Sequence, residues 1–288
     1  MQPSTTYARV ILSSVLICLL LIVLLHQRDA SAPAAGSPHA ASSLSRSPTD
    51  AAQTAPFFLD CAFTNDGDRP CELPSKAPGT VTVACVGDSI TAGNLRPRPE
   101  PGDAGGYPKA LHRLLAAARP GRYNVINFGE SGATMLSEAD QPFLARANWP
   151  RLLASHPDII LLMLGTNDSK ERNWGRLGEE AFTKDALSMI AALRVLPSKP
   201  RLFLATPIPL YIGAHRGWDA AVEVVNKILP ELIPRIAAIG TPGDAALEIF
   251  TCMGGEAMLR PELIADGVHP TREGYAELAR CFLQAREW

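Results

Sequence analysis

From residue 80 onward, short apolar runs alternate with longer amphipathic stretches. TVTVACV at 80–86, YNVINF at 123–128, DIILLML at 158–164 and RLFLAT at 201–206 have the length and composition of strands. DAALEIF at 244–250 reads as a weaker fifth strand. Between and after them, GGYPKALHRLLAAA at 105–118, residues 177–195 and 218–238, and REGYAELARCFLQAR at 272–286 carry the periodicity of amphipathic helices. Runs this apolar, separated by helices, predict a parallel sheet covered on both faces and joined by right-handed crossovers. In such a sheet, functional side chains stand beyond the carboxyl ends of the strands. The polar stretches there are 87–89, 129–134, 165–168 and the loop before the last helix.

Upstream the pattern changes twice. VILSSVLICLLLIVLL at 10–25 is an unbroken apolar run, extended by Ala8 and His26 toward the roughly 20 residues a membrane span needs. One reading is a cleaved secretory signal with Ala30-Ser31-Ala32 as its site, against which Pro33 counts. The other is an uncleaved signal-anchor of a single-pass type II protein, an orientation that Arg9 favours and Arg28 dilutes. Either way the remainder enters the secretory pathway, and the membrane is met only through this segment. Residues 27–56 are mostly Ala, Ser, Pro and Gly, too poor in large apolar side chains to offset ordering entropy. The expected division is a signal or anchor at 1–28, a disordered stalk at 29–56, a lead-in at 57–79 and the α/β domain at 80–288.

Composition narrows the classes. A net charge of −2 with no basic block excludes nucleic acid as an expected partner. No Cys and His residues have zinc-like spacing, so neither metal nor cofactor is expected. Cys61 and Cys71 bracket the turn-rich AFTNDGDRP and form one candidate disulfide. Cys252 and Cys281 form a second, tying the last helix to the preceding loop, while Cys85 reads as a buried thiol within a strand.

Four polar stretches hold candidate chemistry. Ser89 lies between a strand and a helix start, where Ser or Asp also serves as an N-cap. A serine hydroxyl becomes a nucleophile only when a base takes its proton. In NFGESGAT at 127–134, Gly129 or Gly132 permits a backbone N–H to face a ligand, or simply makes a turn. MLGTNDSK at 163–170 places the neutral amide of Asn167 at a strand tip, suited to donate to an oxyanion without a competing charge. Asn167 also begins a glycosylation sequon, which folding is expected to hide. In DGVHPTREGY at 266–275, Asp266 stands three residues before His269, close enough to accept the Nδ1 proton and leave Nε2 as a base. No other histidine has a carboxylate in that relation within such a loop.

Together these parts supply a nucleophile, oxyanion donors, a base and its orienter. Their order, Gly87-Asp88-Ser89, Ser131-Gly132, Gly165-Thr166-Asn167-Asp168 and Asp266 to His269, resembles the SGNH, or GDSL-type, hydrolase family. The resemblance covers about 80–288 and implies a flavodoxin-like three-layer α/β/α sandwich. It implies Ser89 as nucleophile, His269 as base and Asp266 as its orienter. The oxyanion hole would be the Ser89 and Gly132 N–H groups with the Asn167 side chain; Gly132 follows Ser131 as the family's glycine does. GTNDSKERNW at 165–174 and LPSKPRLFLATPIP at 196–209 look like the sialate O-acetylesterase-like or carbohydrate acetylesterase branch. That finer resemblance implies hydrolysis of an acetyl or other short ester on a glycan through an acyl-serine. Trp174 is then a candidate sugar-stacking surface, and Lys170 and Arg172 candidates for meeting a carboxylate, unless all three simply cover a loop. No long exposed apolar run suggests a lipid-binding lid. An O-acetyltransferase using the same acyl-serine would show product growing with acceptor. A lysophospholipase or thioesterase would prefer those esters, and a glycan-binding module would bind without turnover.

Overall fold

Each apolar run between 80 and 206 forms a strand in the computed structural model, which describes residues 56–62, 71–93, 105–211, 219–241, 244, 246–257, 260–286 and 288. The strands are β2 (Val81–Gly87), β3 (Tyr123–Gly129), β4 (Ile159–Met163) and β5 (Arg201–Leu204). A fifth strand, β1 (Phe58–Asp60), pairs with β3, and the parallel sheet has the order β1-β3-β2-β4-β5. The apolar run at 10–25 and the stalk as far as residue 55 lie outside the described residues. Among the described residues, no helix is long and apolar enough to cross a membrane.

The strands are apolar throughout because both faces are covered. Val83 and Cys85 of β2 point into one core, and Ala84 and Val86 into the other; Ile159, Leu161 and Met163 of β4 alternate with Ile160 and Leu162 in the same way. The first core is closed by α2 (Gly106–Ala118) and the C-terminal helix, α8 (Arg272–Gln284), where the Tyr107 and Phe282 rings stack with centroids 4.4 Å apart. The second is closed by α3 (Asn148–Ala154), α4 (Glu171–Arg194) and α6 (Leu229–Gly240). The result is the expected three-layer α/β/α sandwich. Helix α5 (Asp219–Glu223) leads into α6 through a π-helical turn, Val224–Ile228. There the Asn226 amide exchanges two hydrogen bonds with the backbone of Leu210, at 2.9 and 2.7 Å.

Three elements differ from the sequence reading. The run at 244–250 is not a ladder strand: only a parallel bridge, Ala205 with Leu247, forms where it was expected, and Ile249–Cys252 is a helical turn, α7. Pro207 and Pro209 have no N–H to continue the ladder beyond Thr206, whose hydroxyl instead accepts from Phe250 N at 2.8 Å. The second difference is β1. It lies within the lead-in and is too short to register as a run, so the sheet begins before residue 80. Helix α4 starts at Glu171 rather than 177, with a break at Gly178, whose φ of 70° leaves the helical region.

Both candidate disulfides are present, Cys61–Cys71 and Cys252–Cys281, and Cys85 is a free, buried thiol.

Candidate active site

Gly87 stands in register with Gly129 on one side and Met163 on the other, so the segments after β2, β3 and β4 leave the sheet along one edge. Ser89 opens a single helical turn, α1 (Ser89–Ala92). The cap of that turn is Asp88, whose Oδ1 accepts the Ile90 N–H at 2.9 Å. With capping done by Asp88, the Ser89 hydroxyl is left for another partner, and its Oγ lies 2.9 Å from His269 Nε2. The turn sits directly on β3. A Cβ at Gly129 would stand 2.1 Å from Ala92 N, so no other residue fits there.

His269 is carried by a loop rather than a strand. Asp266 Oδ2 lies 2.9 Å from its Nδ1, and Asp266 Oδ1 accepts the backbone N–H groups of Val268 and His269 at 3.0 and 2.7 Å. With the Nδ1 proton held by the carboxylate, Nε2 is the nitrogen that accepts from Ser89. Burial works to raise the Asp266 carboxyl, but the His269 ring and the two N–H donors outweigh it and hold the group well below the usual carboxylate range. An antiparallel bridge between Ile264 and Pro270 closes the loop base, and Thr271 caps α8 by accepting from Gly274 N.

Asn167 is 5% exposed, which buries the sequon, and its Nδ2 donates to Asp88 Oδ2 and to Ala133 O, each at 3.3 Å. The neighbouring Asp168 accepts from Met135 N at 3.1 Å and Leu136 N at 2.7 Å. Gly132, with φ of 82°, lies in this segment, and a Cβ there would strike the Gln141 side chain at 2.6 Å. Burial pushes the Asp88 carboxyl up to about 6, against the Ile90 N–H and the charges of His269 and Lys170. Burial likewise pushes Asp168 up to about 7, against its two backbone donors.

The remaining sequence candidates occupy the start of α4. Arg172 pairs with Asp140, the half-buried Trp174 ring lies 5.6 Å from Phe182, and burial lowers the Lys170 ammonium. Asn173 was missed by sequence reasoning. It is 2% exposed and donates to Asn167 O at 3.0 Å and Asp140 Oδ1 at 2.9 Å, while accepting from Asp140 N at 3.2 Å. Glu130 was also missed; this buried carboxylate accepts from Arg146 Nε at 2.7 Å and Asn148 N at 2.5 Å, bracing the Gly132 segment. A helical periodicity carried back to 171 would have flagged Asn173 as an inward-facing amide; nothing in the sequence pairs Glu130 with Arg146. Among the described residues, no cluster of His, Cys, Asp and Glu has the make-up of a metal site.

A serine–imidazole–carboxylate relay at the carboxyl edge of a parallel sheet has the layout of an acyl-transfer site. The chain belongs to the GDSL-like lipase/acylhydrolase family, whose sequence profile matches residues 85–277, as the four blocks imply. It is 30% identical over 234 residues to an acetylxylan esterase of Xylanibacter ruminicola, a match covering 74% of this chain and 44% of that protein. The chain therefore spans less than half the length of that relative. It is 27% identical to an acetylxylan esterase of Geobacillus stearothermophilus, covering 69% of this chain and 90% of the other. The crystal structure of Axe2, an acetylxylan esterase from Geobacillus stearothermophilus, superposes with a TM-score of 0.54 at 25% identity, covering 73% and 97% of the two chains.

Proposed function

We propose that this protein is a serine carboxylic ester hydrolase that removes acetyl groups from a carbohydrate, with acetylated xylooligosaccharides the first substrates to test. The observation that carries this reading is the continuous relay from Ser89 Oγ to His269 Nε2 and from His269 Nδ1 to Asp266, 2.9 Å at each step. The acetylxylan esterase relatives support the choice of acyl group and alcohol.

In the first step, Ser89 Oγ attacks the acetyl carbonyl carbon as His269 Nε2 takes its proton. The carbonyl oxygen becomes an oxyanion, stabilised by the Ser89 and Gly132 N–H groups and the Asn167 amide. The Asn167 bonds to Asp88 and Ala133 are long at 3.3 Å, so a developing negative charge competes for those protons. Collapse breaks the ester bond, and His269 returns the proton to the departing sugar oxygen. Water, deprotonated by His269, then attacks the acetyl-serine and releases acetate, restoring Ser89. At the start of α4, Trp174 is the candidate sugar-stacking surface, and Lys170 and Arg172 are the candidates for meeting a substrate carboxylate.

The test is acetate release from an aryl acetate and from acetylated xylooligosaccharide by the full chain. The wild type releases acetate from both, and Ser89→Ala from neither at a detectable rate. Equal rates in the two proteins overturn the assignment of Ser89. Two disulfides support folding in an oxidising compartment, outside the cytoplasm. Residues 10–25 serve there as a secretory signal or an anchor; intact mass of the native protein separates the two, since only the anchor is retained.

A further inference from the structure

The Gly132 and Asn167 segments follow β3 and β4, which are not neighbours: β2 lies between them. Ladder hydrogen bonds set register only as far as the ends of the strands, at Gly129 and Met163. Beyond those ends, the distance between the two segments is set by bonds that cross from one to the other. The segment after Gly132 forms a loop closed at its base by the Thr134–Pro142 bridge, with Thr134 N donating to Gln141 O at 2.9 Å. Gln141 is also the residue packed beneath Gly132.

Asp168 crosses between the segments by accepting from Met135 N and Leu136 N, and the Asn167 amide by donating to Ala133 O. A third buried side chain, Asn173, ties the far end of the loop to the backbone of Asn167. The Asn173 carboxamide spends both N–H groups and its oxygen on the two segments, one N–H on Asn167 O and the rest on Asp140, the neighbour of Gln141. A carboxamide offers no further donors, and with 2% exposure water has little access to replace them. Arg172 holds Asp140 from its outer side through Nε at 2.8 Å.

We propose that Asn173 is a positioning residue for the oxyanion site, fixing the Asn167 amide against the loop that carries Gly132. The inference rests on the reading of Asn167 as an oxyanion donor. Displacement of such a donor by about 1 Å costs on the order of 100-fold in rate, so Asn173→Ala is expected to lower kcat by about 10- to 100-fold. KM for an aryl acetate stays within about threefold, because the lost interaction is made in the transition state.

The deciding experiment is a double-mutant cycle on kcat with Asn167→Ala and Asn173→Ala in the full chain, with thermal melts confirming that each variant is folded. If Asn173 acts through Asn167, its loss costs less than about twofold once Asn167 is already alanine. Independent, multiplicative losses overturn the proposal and leave a purely structural role. An Asn167→Ala variant that keeps wild-type kcat overturns the oxyanion reading itself, and the proposal with it. Should Asn173→Ala not fold, Asp140→Ala reaches the same contact from the loop. It is expected to lower kcat more than Asp140→Asn, which keeps an acceptor oxygen for Asn173; the reverse order also overturns the proposal.

Discussion

The two halves of the proposed site are built in different ways. Ser89, Gly132 and Asn167 follow β2, β3 and β4, so a sheet covered on both faces brings their segments to one edge, and bonds between the segments complete their spacing. Asp266 and His269 follow no strand; their loop is held by the Asp266 carboxylate and the Ile264–Pro270 bridge, and lies within the segment closed by the Cys252–Cys281 disulfide. The carboxylates of the two halves differ accordingly. Asp88, buried under the sheet edge, is pushed up to about 6 by burial. Asp266, on the loop, is partly buried too, yet the His269 ring and two backbone donors drive it in the opposite direction. A sheet fixes where its segments begin, whereas a loop that follows no strand depends on its own hydrogen bonds from the start.

The comparison breaks most decisively at His269. His269→Ala is expected to lower kcat on an aryl acetate by about 10⁴-fold or more, as far as loss of the serine does. Retention of a tenth of the wild-type rate would show that the sheet-borne half works without the loop.

The covalent tie comes next. Cys252→Ser with Cys281→Ser opens a link between residues 29 apart and is expected to cost about 3 kcal/mol of stability, read by denaturant unfolding. Opening Cys61–Cys71, a separation of 10, costs less on the same loop-length argument and leaves kcat nearer wild type. A larger loss of kcat from the Cys61–Cys71 pair would reverse the assigned dependence of the His269 loop on its disulfide.

The smallest effect is a pH slope in the sheet-borne half. The folded Asp168 carboxyl, at about 7, stands above its unfolded value of 3.8. Its contribution to stability is therefore complete below the unfolded value and is lost as pH rises through about 7. Calorimetry at pH 6 and pH 8 should show the wild-type Tm falling across this interval, and Asp168→Asn falling less. Parallel slopes would mean that Asp168 does not ionise within the folded protein in that range.

Much of the sheet-borne half was legible because strands buried on both faces leave continuous apolar runs, and the three runs that bear it are each followed by a glycine, at 87, 129 and 165. The loop-borne pair was legible for a different reason: an Asp three residues before a His falls within hydrogen-bonding reach whatever the fold around it. Less visible were features whose meaning is wholly tertiary. β1 is three residues long and gains its place only by pairing with β3. Residues 244–250 carry a strand's composition, but the prolines after Thr206 deny them a ladder. Asn173 looks like any polar residue at a helix start until the loop holding Asp140 folds over it. The capping and nucleophile readings of the Gly-Asp-Ser triplet turned out not to compete, since Asp88 takes the cap and Ser89 faces the histidine.

The stack of Tyr107 on Phe282 has a consequence for biosynthesis. All five strands precede residue 205, so the ribosome delivers the whole sheet before either His269 or the helix that covers α2. A chain cut short before Asp266 would expose the apolar face of α2 and lack the base at the same time. The covering of α2 and the supply of the base thus both fall to one segment, 266–284, that is translated after the sheet.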